Sequence, residues 1–197
     1  MRRRLRVIGL TGRYCAGKGT ASRAFASRGF RVVDADDLSH EVLAERAAQV
    51  IREFGPTARA PDGGVDRRAL GRIVFADPAA RGRLEAILYP DITERIRRFV
   101  ASDNTDVVIN APLLQRAGLQ SLCDALVFVT APVLVRLVRA MKRDGLSLRD
   151  AWARVNTQKD VRPQLNDRVV DTYTVRNWGS TRSLQRRVAR IAAALRG

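Results

Sequence analysis

The sequence predicts an α/β fold: a five-stranded parallel sheet with helices on both faces, giving three layers. Three observations predict it. Five short apolar runs, at 5–11, 31–34, 106–111, 125–130 and 172–175, have strand length and end in polar or turn residues. Longer stretches of helical period lie between them, the alternation that yields a parallel sheet. Most of the runs are apolar at successive positions, with little in/out alternation, as suits strands covered on both faces.

The elements follow in order. After the first run, Ala21, Ala24 and Phe25 share one helical face, and Gly29 is a natural stop. Leu38, Val42, Val50, Ile51 and Phe54 mark a second helix that ends near Gly55-Pro56. From 67 to 100 the chain is helical without strands, in three pieces. Leu70, Ile73 and Val74 mark the first, Leu84, Ile87 and Leu88 the second, and Ile92, Ile96 and Phe99 the third. Asp77-Pro78 supplies an N-cap and first-turn pair, and Tyr89-Pro90 should separate the last two pieces. Ser147 with Asp150 reads as a capping box opening a helix through Trp152 and Val155. Leu184, Val188, Ile191 and Leu195 mark the final helix.

Composition bounds the function. The 197 residues, 46% of them hydrophobic, suffice for one domain with a core and a small insertion. No apolar run approaches the ~20 residues of a membrane span. The basic start is followed by too short an apolar stretch for a signal peptide, so no targeting segment is expected. Cys15 and Cys123 form no disulfide framework and argue for a reducing compartment. With one His they are also too few for a zinc site. The net charge of +16 attracts polyanions, including polyphosphate substrates. It is scattered arginine, with only Lys18, Lys142 and Lys159 as lysines, which reads as a solvated surface rather than a nucleic-acid face.

The strongest chemical signal is Gly12-Arg13-Tyr14-Cys15-Ala16-Gly17-Lys18-Gly19-Thr20, placed between a strand and a helix. That is the context of a phosphate-binding P-loop. Glycines let the backbone wrap a phosphate, and inward amides and the helix N-terminus add positive potential. Lys18 would bridge the β- and γ-phosphates of ATP. The usual Ser or Thr after the lysine is Gly19, with Thr20 one place later. Adenylate kinases resemble the chain here, with the same Gly-Lys-Gly-Thr order and magnesium held largely through water. Cys15, among inward amides and near Lys18, is either a thiol of lowered pKa or a small residue that fits.

Asp34, Asp36 and Asp37 end the second strand. Ligands of open parallel sheets sit beyond the carboxyl ends of strands. A carboxylate there can accept the proton of an acceptor hydroxyl, which favours Asp36 or Asp34 as base. If the strand continues, these two point the same way. The competing role is an N-cap for a helix beginning at Leu38, which suits Asp37. Arg136, Arg139 and Arg143 share a helical face and either close over ATP or face water. With the family resemblance given next, the expected organisation is a nucleotide-binding core over 1–58, 105–135 and 156–197, a helical insertion at 59–104 and a lid at 136–155.

Together these residues resemble the dephospho-CoA kinase family. The likeness runs through Gly9 to Gly12 with Gly17-Lys18, Val33-Asp34-Ala35-Asp36, Asp62 to Leu70, Ile73 to Pro78 and Leu84 to Ile92. Pro112-Leu113-Leu114, Arg139, Arg143-Asp144, Gln158 and Asn177 complete it. The resemblance implies a nucleoside-monophosphate-kinase-like fold and a cytoplasmic enzyme that phosphorylates the ribose 3′-hydroxyl of dephospho-CoA, with ATP and Mg²⁺. It implies Asp36 as base and Arg139 and Arg143 as lid arginines. Asn177 would lie near adenine. Asp34, Arg67, Tyr89, Pro112, Leu113 and Leu114 would hold the substrate, within or beside a CoA-binding insertion. Magnesium would be held by phosphates and water, with Asp36 or Thr20 nearby. Against the family pattern, Cys15 replaces a Gly, Gly19 a Ser and Tyr89 a His. Arg116 stands near the place of a Glu, Thr172 aligns with an Asp, and Asn110 stands where many members have Asp.

Overall fold

The computed structural model describes residues 6–112, 114, 118–156 and 171–196. Leu113, Arg116 and Gln158 fall outside the described residues. The chain forms two compact units, Met1–Val33 with Val100–Gly197, and Asp34–Phe99.

In the first unit the strands are β1 (Val7–Gly12), β2 (Arg31–Asp34), β3 (Val107–Asn110), β4 (Ala125–Thr130) and β5 (Asp171–Arg176). They form one parallel sheet in the order β2-β3-β1-β4-β5. Ile8 sits beside Val108 on one side and Ala125 on the other, so β1 is central. All four residues of β3 are buried, as a strand covered on both faces requires. Two carboxylates secure the start of β1. Asp106 accepts from the Arg6 amide at 3.0 Å, and Asp124 from the Val7 amide at 2.9 Å.

Helices α1 (Lys18–Ala26) and α8 (Thr181–Arg196) bring Ala21, Ala24, Phe25, Leu184, Val188 and Leu195 into a common core with Ile8, Leu10, Val127 and Val129. Each fully buried large side chain there contributes roughly 1.5–3 kcal/mol. Helix α6 (Val133–Asp144) follows β4, and α7 (Leu148–Asn156) packs on it. The capping box opens α7 as expected: the Asp150 amide donates to Ser147 Oγ at 3.1 Å, and that hydroxyl donates to the Asp150 carboxylate at 2.6 Å.

The second unit holds α2 (Ala35–Glu45), α3 (Ala47–Phe54), α4 (Arg67–Ala76) and most of α5 (Pro78–Ala101). Two expectations change here. The helix expected over Leu38–Phe54 is two, divided at Arg46, whose guanidinium pairs with Asp91 at 2.6 Å. The break expected at Tyr89-Pro90 is absent, and α5 runs through Pro90. An internal proline costs about 3 kcal/mol. Leu88, Ile92 and Ile96, four residues apart on one face, stay buried only if the helix continues, and their burial offsets that cost.

Candidate active site

The loop after β1 is shaped by close approaches. Gly12 (φ 154°) lies against β4, where an added Cβ would sit 2.3 Å from the Val129 carbonyl oxygen. Gly17 (φ 105°) is the N-cap of α1, and a Cβ there would sit 2.3 Å from Asn177 Nδ2. At Gly12 the obstacle is the backbone of β4; at Gly17 a Cβ would displace the Asn177 side chain, and the positive φ itself disfavours any other residue. Cys15, at φ 56°, is the one non-glycine with positive φ among the described residues. Left-handed backbone costs an L-residue roughly 1–2 kcal/mol, and such strain concentrates at functional loops. The Cys15 side chain is buried with Leu137, Ala140, Ala151 and Val155.

Two residues from distant elements brace the loop. The Asn177 Nδ2 donates to the Ala16 carbonyl at 2.8 Å, and its amide donates to the Thr130 carbonyl at 2.7 Å. Arg139 Nη1 donates to the carbonyls of Cys15 and Ala16 at 3.5 and 3.4 Å, and its Nη2 to that of Asn177 at 3.4 Å. Carbonyl partners orient this guanidinium without cancelling its charge. Lys18 opens α1.

The three arginines of α6 differ in depth. Arg136 is buried (2% exposed), Arg139 half-buried and Arg143 exposed. Shared spacing did not reveal this gradient. Arg143 makes a two-pronged pair with Asp144 at 2.8 and 3.0 Å and lies 5.3 Å above the Tyr14 ring. The Tyr14 hydroxyl donates to the same carboxylate. Arg143, with help from Tyr14, lowers the Asp144 carboxyl from 3.8 to about 2. Burial, then the bond to Asp144, raises the Tyr14 hydroxyl. Tyr14–Asp144 is a contact that sequence reasoning missed; the adjacency of Asp144 to Arg143 was the available signal. Burial also raises the Cys15 thiol, and Arg143 opposes it only in part. Its burial against α6 and α7 favours, of the two readings of Cys15, the small residue that fits.

Strand β2 ends at Asp34 and α2 begins at Ala35, so Asp36 does not continue the strand. Asp34 is the N-cap of α2 and accepts from the Asp36 amide at 2.9 Å. The cap role expected of Asp37 thus falls to Asp34. Asp36 is exposed in the first turn. In the second unit, Asp66 caps α4 by accepting from the amides of Arg68 and Ala69, each at 2.9 Å. Along α4 lies an open groove of about 620 Å³ between Arg67, Arg68, Arg72 and Phe75. Tyr89 is half-buried on α5. Pro112 accepts at its carbonyl from the Thr11 hydroxyl at 3.0 Å, while Leu114 is buried next to Gly9.

The family model of dephospho-CoA kinase matches residues 6–179. The chain belongs to that family. The dephospho-CoA kinase of Anaeromyxobacter dehalogenans is 40% identical over 98% of this chain and 93% of its own length. That of Moorella thermoacetica is also 40% identical, over 84% and 83%. The dephospho-CoA kinase of Campylobacter jejuni superposes with TM-score 0.69 at 25% identity, covering 96% of each chain. A Thermus thermophilus protein of solved structure reaches 0.82 at 31% identity, covering 98% of this chain and 99% of its own. As a dephospho-CoA kinase family member, the chain is an enzyme of the kinase class with a small-molecule substrate. Its loop departures lie at Cys15, which takes the left-handed conformation a glycine would take freely, and at Gly19, which is exposed.

Proposed function

We propose that this chain transfers the γ-phosphoryl group of ATP to the ribose 3′-hydroxyl of dephospho-CoA, giving ADP and coenzyme A. The observation that carries the reading is the braced phosphate loop, in a chain that the dephospho-CoA kinase family spans from 6 to 179. Loop residues 12–20 wrap the phosphates, Lys18 bridges β and γ, and Arg139 and Arg143 neutralise charge on the transferring group. The acceptor oxygen forms the new P–O bond. The bond to the β–γ bridging oxygen breaks, and its electron pair leaves with ADP. The hydroxyl proton passes to Asp36. Asp34, Arg67, Tyr89, Pro112, Leu113 and Leu114 hold the acceptor, and Asn177 lies on the adenine side. Cytoplasmic location belongs to the same reading, supported by two free, buried cysteines and by the lack of a membrane-length apolar helix among the described residues. Nucleic acid is not the expected partner.

Kinase chemistry implies magnesium. Gly19 offers no hydroxyl, and the Thr20 hydroxyl accepts from Arg23 at 3.4 Å. No cluster of three His, Cys, Asp or Glu suited to a metal occurs among the described residues. These residues fit an ion held mainly by phosphates and water, to which Thr20 or Asp36 would add a protein oxygen. When bound, the ion supplies charge neutralisation on the phosphates.

The test is ADP release with Mg-ATP and dephospho-CoA, run beside nucleoside monophosphates as acceptors. Coenzyme A should form only with dephospho-CoA. Turnover with a nucleoside monophosphate alone would keep the P-loop kinase and reject the acceptor.

A further inference from the structure

We infer that Arg136, a buried guanidinium on α6 close to loop residues Arg13 and Cys15, is a phosphate-oxygen ligand of the donor nucleotide. The inference rests on the phosphate-loop reading and adds a residue to it.

Arg136 stands in the first turn of α6, where its amide donates to the Pro132 carbonyl at 3.0 Å. Its side chain is the largest of the fully buried ones, yet Nε and Nη1 are sealed from solvent with no hydrogen-bond acceptor among the described residues. Donors in this state are rare in proteins, because each forfeits its hydration without return. The charge has no compensation either. The groups acting on it are Arg13, which repels it, and Cys15, both in the loop. Burial and Arg13 together lower its proton affinity. Arg143 shows the alternative a few residues on, with Asp144 as its own carboxylate.

A buried cation with no ion pair of its own among the described residues is a costly arrangement in the absence of an anion. Its neighbours identify the anion's chemistry. Arg13 and Cys15 belong to the loop that wraps phosphates, and Arg139, one turn along α6, touches the Cys15 and Ala16 carbonyls. A guanidinium offers planar, paired donors that match phosphate oxygens. A phosphate of the donor would accept from Arg136 and offset both the desolvation and the Arg13 repulsion.

The experiment uses the full chain with Arg136→Met and Arg136→Gln, beside Lys18→Ala. Melting temperature without ligand is recorded, then binding of tripolyphosphate, ATP and dephospho-CoA by calorimetry. Both Arg136 variants should melt at or above the wild-type temperature, since a buried uncompensated charge has been removed. Tripolyphosphate and ATP should bind roughly 10- to 100-fold more weakly, with dephospho-CoA unchanged. A clear drop in melting temperature in both variants would reveal an internal partner and overturn the inference. So would ATP affinity within about twofold of wild type while Lys18→Ala loses it. That result leaves the loop reading intact and reduces Arg136 to a buried side chain with no part in nucleotide binding. Weakened binding of dephospho-CoA alone would move the residue to the acceptor and overturn the donor assignment. If Lys18→Ala also retains ATP, the loop reading itself falls, and the inference with it.

Discussion

The arginines of the helical unit and those around the phosphate loop are satisfied in different ways. In the helical unit carboxylates meet Arg46, Arg83, Arg95 and Arg98: Asp91, Glu53, Glu41 with Glu45, and Glu94. Among the three arginines of α6, Arg143 has such a partner. Arg139 leans on carbonyls, and Arg136 has neither. A carboxylate cancels charge on the spot, whereas a carbonyl orients a guanidinium and leaves its charge available. The net charge of +16 therefore has two meanings. In the helical unit Arg46, Arg83, Arg95 and Arg98 sit in surface pairs, which contribute little to stability. Beside the loop, on the function proposed above, it is field available to the phosphates.

The largest test of that contrast is Lys18→Ala. Turnover should fall about 10³-fold or more while the melting temperature holds. Single-turnover ADP formation measures it, and near-normal rates would remove the phosphate loop from the comparison. Next comes Asp36→Asn, on the other unit. It should lower kcat about 10²- to 10⁴-fold and leave ATP affinity within a fewfold. Equal losses in both would make Asp36 a binding residue.

A smaller effect concerns Asp144, the carboxylate bonded to Tyr14 of the loop. The folded carboxyl of Asp144 is lowered from 3.8 to about 2, first by Arg143 and then by Tyr14. Its stabilising contribution is present above the ordinary value and is lost as pH falls toward the folded one. The melting-temperature gap between wild type and Asp144→Asn should hold from neutrality to about pH 4, then close toward about pH 2. A gap constant over that window would mean the Arg143 pair does not survive in solution. The smallest effect is expected of Arg95→Ala, whose two glutamate pairs lie on the surface. Its melting temperature should drop by less than about 3 °C. A larger fall would give the helical unit's pairs a structural weight that the comparison denies them.

Local pattern was enough for much of this protein. The strands at 31–34 and 125–130 match to the residue, because an apolar run bounded by polar groups defines its own ends. The loop's place between β1 and α1, the capping box at Ser147 and the cap at Asp77 were equally legible, since each depends on residues within a few positions. Tyr89-Pro90 was misread because a helix break was inferred locally, while burial of Leu88, Ile92 and Ile96 across the whole helix decided the outcome. Asp34 took the cap expected of Asp37 because the strand-to-helix junction lies three residues earlier.

By itself, the sequence determined the parallel α/β fold, the phosphate loop and, through its resemblance, the family. These reside in periodicity, glycine placement and spacing, which are properties of the chain. Only the tertiary structure separated Arg136, Arg139 and Arg143. The helix places all three at spacings of three and four, but depth depends on what packs against each turn. Desolvation and the presence or absence of an acid then decide what each charge can do.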